Sequence, residues 1–226
     1  MLRCFDDDNI VHVDGQVNPV RDKEIIDAEL QIKDLETIDS RIAKVQKQAQ
    51  TGGDKQAKQA YEVLVKFKEA LEQGKSARTV TFETKDEQKI AHDLFLLTSK
   101  PVMYVCNVDE ASAVKGNKYV DAVREAVKDE NAEILVVAAK IESEIAEFET
   151  YDERQMFLQE IGLEESGVSR LIKSAYNLLN LQTYLTAGVQ EVRAWTFEKR
   201  LESAAVCRCD PYRFRERLHP CRGDQI

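Results

Sequence analysis

Apolar residues from position 22 onward recur at helical spacing: Leu35, Ile38, Ile42, Val45 and Ala49 step by three and four, as one packed seam requires. Gly52-Gly53 interrupts the run, and Ala57, Ala60, Leu64, Phe67 and Leu71 then repeat the spacing up to Gly74. Two such segments joined by a glycine turn predict an antiparallel helical hairpin. A short helix is expected over Asp86 to Leu97. Beyond it the pattern turns α/β. Pro101 precedes Val102 to Cys106, a run typical of a buried parallel strand; a helix follows over Lys118 to Lys128, then a second buried strand over Ile134 to Val137. Strand, helix, strand predicts part of a doubly wound sheet. Further helices are predicted over Asp152 to Ile161 and Val168 to Leu179, and two short strands, Gln182 to Thr186 and Val192 to Phe197, flank Ala187-Gly188. At the start, Met1 to Phe5 reads as the inside of a strand, Asp6 to Asn9 as an acidic turn, and Ile10 to Val13 as an alternating segment. A domain opening there would leave a strand edge without a partner, so Met1 is not the expected natural start.

Composition narrows the class. With 226 residues and 43% hydrophobic content the chain can bury a core, and one to two domains are expected. No run approaches the roughly 18 to 20 apolar residues of a membrane span, and no signal peptide opens the sequence, so a cytoplasmic location without membrane partners is expected. The odd count of five cysteines fits a reducing compartment. A formal charge of −9 argues against coating of nucleic acid, and no DNA partner is expected. The charge is uneven, however. Asp22 to Ser40 carries seven acidic and two basic residues, whereas Arg41 to Lys68 carries seven basic and two acidic. One reading is a solvated helical surface with i,i+4 pairs. The other is that Lys44, Lys47, Lys55 and Lys58 meet an RNA or another polyanion.

In an open α/β sheet, ligands bind beyond the carboxyl ends of the strands. Asn107-Val108-Asp109-Glu110 directly follows the first predicted strand and Ala138-Ala139-Lys140 the second. Each is weak alone, and Asn107 could simply cap its loop. Together they resemble the fourth and fifth nucleotide-binding motifs of GTPase-like P-loop proteins. In the usual Asn-Lys-x-Asp motif the carboxylate accepts hydrogens from guanine, the Lys stem covers the base, and Asn ties neighbouring loops. Here Val108 replaces the Lys and Glu110 the Asp. A longer carboxylate cannot take the same guanine-reading position without backbone adjustment, so guanine selectivity should weaken. Val108 could pack on a purine face, and backbone groups near Ala138 and Ala139 could meet adenine's exocyclic atom. The expected preference is ATP over GTP.

A broader resemblance then emerges. Arg3-Cys4-Phe5, Asn9-Ile10, His12-Val13, Gly15 and Val17-Asn18-Pro19 look like a segment of the YchF family of Obg-like ATPases. Gly52-Gly53-Asp54-Lys55 is similar to the turn of that family's helical insertion. Leu178 to Tyr184 and Glu191 to Thr196 look like the entry to its TGS-type domain. The likeness covers residues 2 to 199. It implies a partial nucleotide-binding domain over 1–21, a helical insertion over 22–85, the rest of the nucleotide-binding domain over 86–176 and the start of a TGS-like domain over 177–199. It further implies an ATP-preferring NTPase using Mg, with the ribosome and a purine nucleotide as partners. Two departures stand out. The sequence contains no Gly-x-x-x-x-Gly-Lys-[Ser/Thr] loop to cradle phosphates, and no Asp-x-x-Gly motif precedes Arg3. Catalysis by this chain alone is therefore not expected.

The likeness stops at Lys199, and the last 27 residues hold six Arg and three Cys. Cys207-Arg208-Cys209 suggests metal, Arg213 to Arg217 nucleic acid, and Arg222-Gly223-Asp224 adhesion. A simpler account is a reading-frame change: codons permitted for Arg200 to Ile226, read one base later, spell a string that resembles the expected TGS-type continuation. On that reading the tail carries no evolved function.

Overall fold

The computed structural model describes residues 1–7, 9–12, 15–50, 55–130, 132–187 and 192–199. Three parallel strands form the first sheet: β1 (Leu2–Arg3), β2 (Met103–Asn107) and β3 (Glu133–Val137), in the order β1-β2-β3. The register pairs Leu2 with Cys106 and Met103 with Glu133. Strand β1 is shorter than predicted. The chain turns at Asn9 and bends at Ile10, and Val11 and His12 join no strand; the Arg3 guanidinium holds the loop closed on itself through the carbonyls of Phe5, Asp7 and Ile10. Val13 lies outside the described residues.

Helix α1 (Pro19–Gln50) starts where its chemistry dictates. The Asn18 side chain accepts from the Arg21 amide at 3.2 Å, and Pro19, which has no amide to leave unpaired, fills the first turn. The helix runs about 48 Å at the usual rise. Helix α2 (Lys55–Glu72) runs antiparallel to it: Gln31 reaches the Gly74 carbonyl, and farther along α1 Asp39 meets Lys68 at 2.7 Å. Gly74, at φ 73, closes α2 in the left-handed conformation that glycine adopts without strain. The seam buries Ile38 against Val63, Leu64, Phe67 and Leu71. The expected Gly52-Gly53 turn lies outside the described residues.

Helix α3 (Lys85–His92) begins at a capping box between Thr84 and Glu87 but ends well before the predicted Leu97. The amides of Leu97 and Thr98, which a longer helix would have used, donate instead to the buried carboxylate of Asp34 in α1, both at 2.8 Å. Phe95, at φ 52, makes the turn that brings them there.

After β2 comes α4 (Lys118–Ala126), capped by Asn117, whose side chain accepts from the amides of Tyr119 and Val120 and donates to the Cys4 carbonyl. Val120 and Val123 are fully buried beside Tyr104 and Cys106 in the core around the sheet. Cys4 and Cys106 are free thiols in that core; their mutual hydrogen bond and burial push Cys4 well above the ordinary thiol range, so it packs as a small apolar group. Helix α5 (Ala139–Glu147) follows β3 directly, where the sequence predicts a loop. Helix α6 (Tyr151–Glu160) opens with a second capping box, Thr150 with Glu153. Helix α7 (Gly167–Leu178) begins with its Gly167 and Val168 amides on the Glu142 carboxylate of α5. A side chain at Gly167 would collide with that carboxylate at 2.8 Å.

The chain divides into two compact units between Arg170 and Leu171. Within the second, β4 (Leu181–Ala187) pairs antiparallel with β5 (Val192–Glu198), Tyr184 meets the Phe197 ring edge-on, and the Trp195 indole donates to Thr186 at 2.9 Å. Gly188 and the tail after Lys199 lie outside the described residues. No described helix is long and apolar enough to cross a membrane.

Candidate functional site

Asn107 is the last residue of β2, and both ends of it are used. Its carbonyl accepts from the Cys4 amide at 2.7 Å, holding the end of β1. Its side-chain oxygen accepts from the Ala139 amide at 3.0 Å. Ala138, the residue before α5, has no side chain able to cap the helix, so Asn107 supplies that cap from the neighbouring strand. One more ladder bond, Val108 amide to Val137 carbonyl at 2.9 Å, carries the pairing of β2 and β3 past Asn107. The pleat therefore turns Val108 inward. Expected to offer an apolar face to a purine, it is 4% exposed and packed in the core.

Asp109 then turns the chain, its carboxylate accepting from the Ser112 amide at 3.0 Å, and Glu110 opens a single 310 turn to Ser112. The Glu110 carboxylate forms an ion pair with the Lys140 ammonium across the two strand ends. Both side chains are largely exposed. The hydrogen bond to Glu110 holds Lys140 above its ordinary range, with Glu144 and Asp7 adding to the field. Ala138, Ala139 and Lys140, expected as a loop, are the cap and first turn of α5. Asn107, Glu110, Ala138, Ala139 and Lys140 are thus brought to one end of the sheet, with the Val108 backbone among them and its side chain beneath.

Residues that the motifs did not point to frame this end. The Tyr119 hydroxyl donates to the Asp6 carboxylate at 2.7 Å, tying the acidic loop after β1 to α4. At the opposite, amino end of the strands, Glu130, just before β3, gathers Lys23 at 2.5 Å, Arg78 at 3.1 Å and the Tyr104 hydroxyl at 2.8 Å, while Lys23 also holds Asp27. Burial pulls Lys23 down, but its hydrogen bonds to Asp27 and Glu130 outweigh that and hold it above the usual lysine range. Burial pushes Glu130 up; Lys23 and Tyr104 outweigh it and leave the carboxyl below its ordinary value. Burial and then the bond to Glu130 push Tyr104 up to about 12. No periodicity or motif signals such a cluster, because its members come from four separate segments.

The hairpin lysines are placed apart from this site. Lys44 on α1 and Lys55 and Lys58 on α2 are exposed, and the Lys47 side chain lies outside the described residues. Among the described residues no group of three or more His, Cys, Asp or Glu side chains is arranged as a metal would require.

No family model matches the chain. It is 52% identical over 205 residues to the ribosome-binding ATPase YchF of Bacillus subtilis, covering 90% of this chain and 55% of that protein. It is 46% identical over 196 residues to the ribosome-binding ATPase YchF of Escherichia coli O157:H7, covering 87% and 53%. Against the Obg-like ATPase 1 of Rattus norvegicus the identity is 37% over 203 residues, covering 88% and 51%. Among solved structures, the Schizosaccharomyces pombe YchF GTPase matches with a TM-score of 0.77 at 30% identity, over 88% of this chain and 54% of that one. The chain spans about half the length of the curated relatives it matches.

Proposed function

Because this chain belongs to the YchF family of Obg-like ATPases, we propose that it supplies the base-recognition side of a ribosome-associated, ATP-preferring P-loop NTPase. One observation carries the reading: the Asn107 side chain bonds the Ala139 amide, so the ends of β2 and β3 form one surface at the place where open α/β sheets bind ligands. On that surface Asn107 fixes the loops, Glu110 and Lys140 present the polar edge, and the backbone of Ala138 and Ala139 lies beside them. ATP, or GTP more weakly, is the nucleotide. Mg would accompany the phosphates, but this sequence contains no phosphate-cradling Gly-x-x-x-x-Gly-Lys loop to hold them. Hydrolysis is accordingly not expected of this chain alone. Its expected location is the cytoplasm.

Titration of the isotopically labelled chain with ATP tests this. Resonances of 107–110 and 138–140 should shift with weak affinity. Asn107→Ala, which strands the Ala139 amide, should weaken binding by about three- to tenfold. Shifts confined to other residues would sink the reading.

A second role rests on a different observation. Lys44, Lys55 and Lys58 are all exposed on the hairpin, on the basic side of its charge division. This fits an RNA-contacting surface on the ribosome that works whatever the nucleotide state.

A further inference from the structure

The ion pair between Glu110 and Lys140 joins the two segments that the base-site reading puts around a purine. A carboxylate is an acceptor and nothing else, whereas an ammonium offers three donors. Guanine's edge presents two adjacent donors, N1–H and the N2 amino group. Adenine's presents an amino donor beside a bare N1 acceptor. Although its longer stem keeps it from the usual Asp position, a lone Glu110 carboxylate can still accept from guanine's donors, whereas it opposes the lone pair of adenine N1. Once Lys140 sits on one oxygen, the charge is neutralised, an acceptor position is occupied, and the ammonium keeps further N–H groups to donate. The mixed surface of donor and acceptor fits adenine's edge better.

We infer that Lys140 is a specificity-determining residue that acts through Glu110, clasping the carboxylate so that the site selects adenine over guanine. Lys140 thus acts both by clasping Glu110 and by turning its remaining N–H groups toward the base, and the inference rests on the base-site reading above. Two features favour the arrangement. The partners lie at the start of two short helical segments, the 310 turn at Glu110 and the first turn of α5, so both backbones are fixed. The Asn107 to Ala139 bond holds those segments together whether or not the ion pair is made. Removing the pair should therefore leave the site assembled.

The test uses the full 226-residue chain and compares AMP with GMP, which share sugar and phosphate and differ in the base. Lys140→Met should lower the AMP-to-GMP affinity ratio by roughly two- to fivefold, the scale an exposed ion pair carries. Lys140→Arg, which keeps the pair, should restore the ratio, and the gain of GMP binding should vanish in Lys140→Met/Glu110→Gln. A general loss of folding would weaken both nucleotides alike and leave the ratio where it was, so the ratio with its arginine rescue is the readout. If both nucleotides shift the 107–110 and 138–140 resonances but Lys140→Met leaves the ratio unchanged, the clasp is overturned and the base site survives. If neither nucleotide shifts them in the unmodified chain, the base site fails and the clasp with it.

Discussion

A single side chain, Asp34, decides more of the hairpin's shape than its place in a helix suggests. Its carboxylate is 2% exposed and accepts from the Leu97 amide, the Thr98 amide and the Thr98 hydroxyl, the last at 2.7 Å. Three donors converge on one buried anion, and charge-assisted bonds of this kind are about twice as strong as neutral ones. Asp34→Asn would turn an NH2 group toward at least one of those donors. The expected loss is about 2–3 kcal/mol of stability, read as a lower urea midpoint with unchanged slope. Asn107 works in the same manner at the end of β2, as a cap borrowed by a helix that has none of its own. In both cases the decisive partner is far away in sequence, 63 residues for Asp34 and Leu97 and 32 for Asn107 and Ala139.

At the scale of elements, this explains what the sequence made legible. Helices α1 and α2 repeat one apolar spacing over many turns, and Gly74 ends the second, so their existence and type could be read directly; the start of α1 at Pro19 was not, since the helical spacing was read only from Asp22. Strands β2 and β3 were readable as short β-rich runs. Helix α5 was not, because Ala138-Ala139-Lys140 has no capping side chain and the cap arrives from another strand. The end of α3 was misplaced for the matching reason: the apolar run through Leu97 continues, but its amides go to Asp34. Within the site, the residue set could be read from two motifs, whereas the inward turn of Val108 depended on a ladder bond past the strand end. The Glu130 cluster joins α1, the turn at Arg78, β2 and the turn before β3. Since the folded carboxyl lies below its ordinary value, its contribution is present above the unfolded Glu value and is lost as pH falls through the lowered folded value. Glu130→Gln should therefore destabilise by about 1–2 kcal/mol near neutral pH. The gap from the unmodified protein should close below about pH 4.5, visible in melting temperatures measured across the acid range.

For the molecule as a whole, the proposed base-reading end and the basic part of the hairpin are two surfaces with different physics. One is short-range and stereochemical; the other is long-range and screened by salt. If the hairpin meets ribosomal RNA as proposed, that binding should weaken steeply as salt rises. Replacing Lys44, Lys47, Lys55 and Lys58 by Gln should lower affinity and flatten the salt dependence, by about 0.7–0.9 in log–log slope for each phosphate no longer neutralised. Co-sedimentation with ribosomes across a salt series would check this, and an unchanged slope would assign those lysines to the solvated surface instead.

The tie from Asn117 to the Cys4 carbonyl spans 113 residues, and between its ends lies the whole hairpin, already closed on itself by Asp34. Contacts that close long loops form late in folding, whereas α1 ends at Gln50 and α2 begins at Lys55, close neighbours in sequence. The hairpin, with its own buried cluster around Ile38, is thus expected to form early, and the sheet end that carries Asn107 is completed only when the first few residues come home to β2. The surface proposed to read the nucleotide is, in order of assembly, among the last things the polypeptide makes.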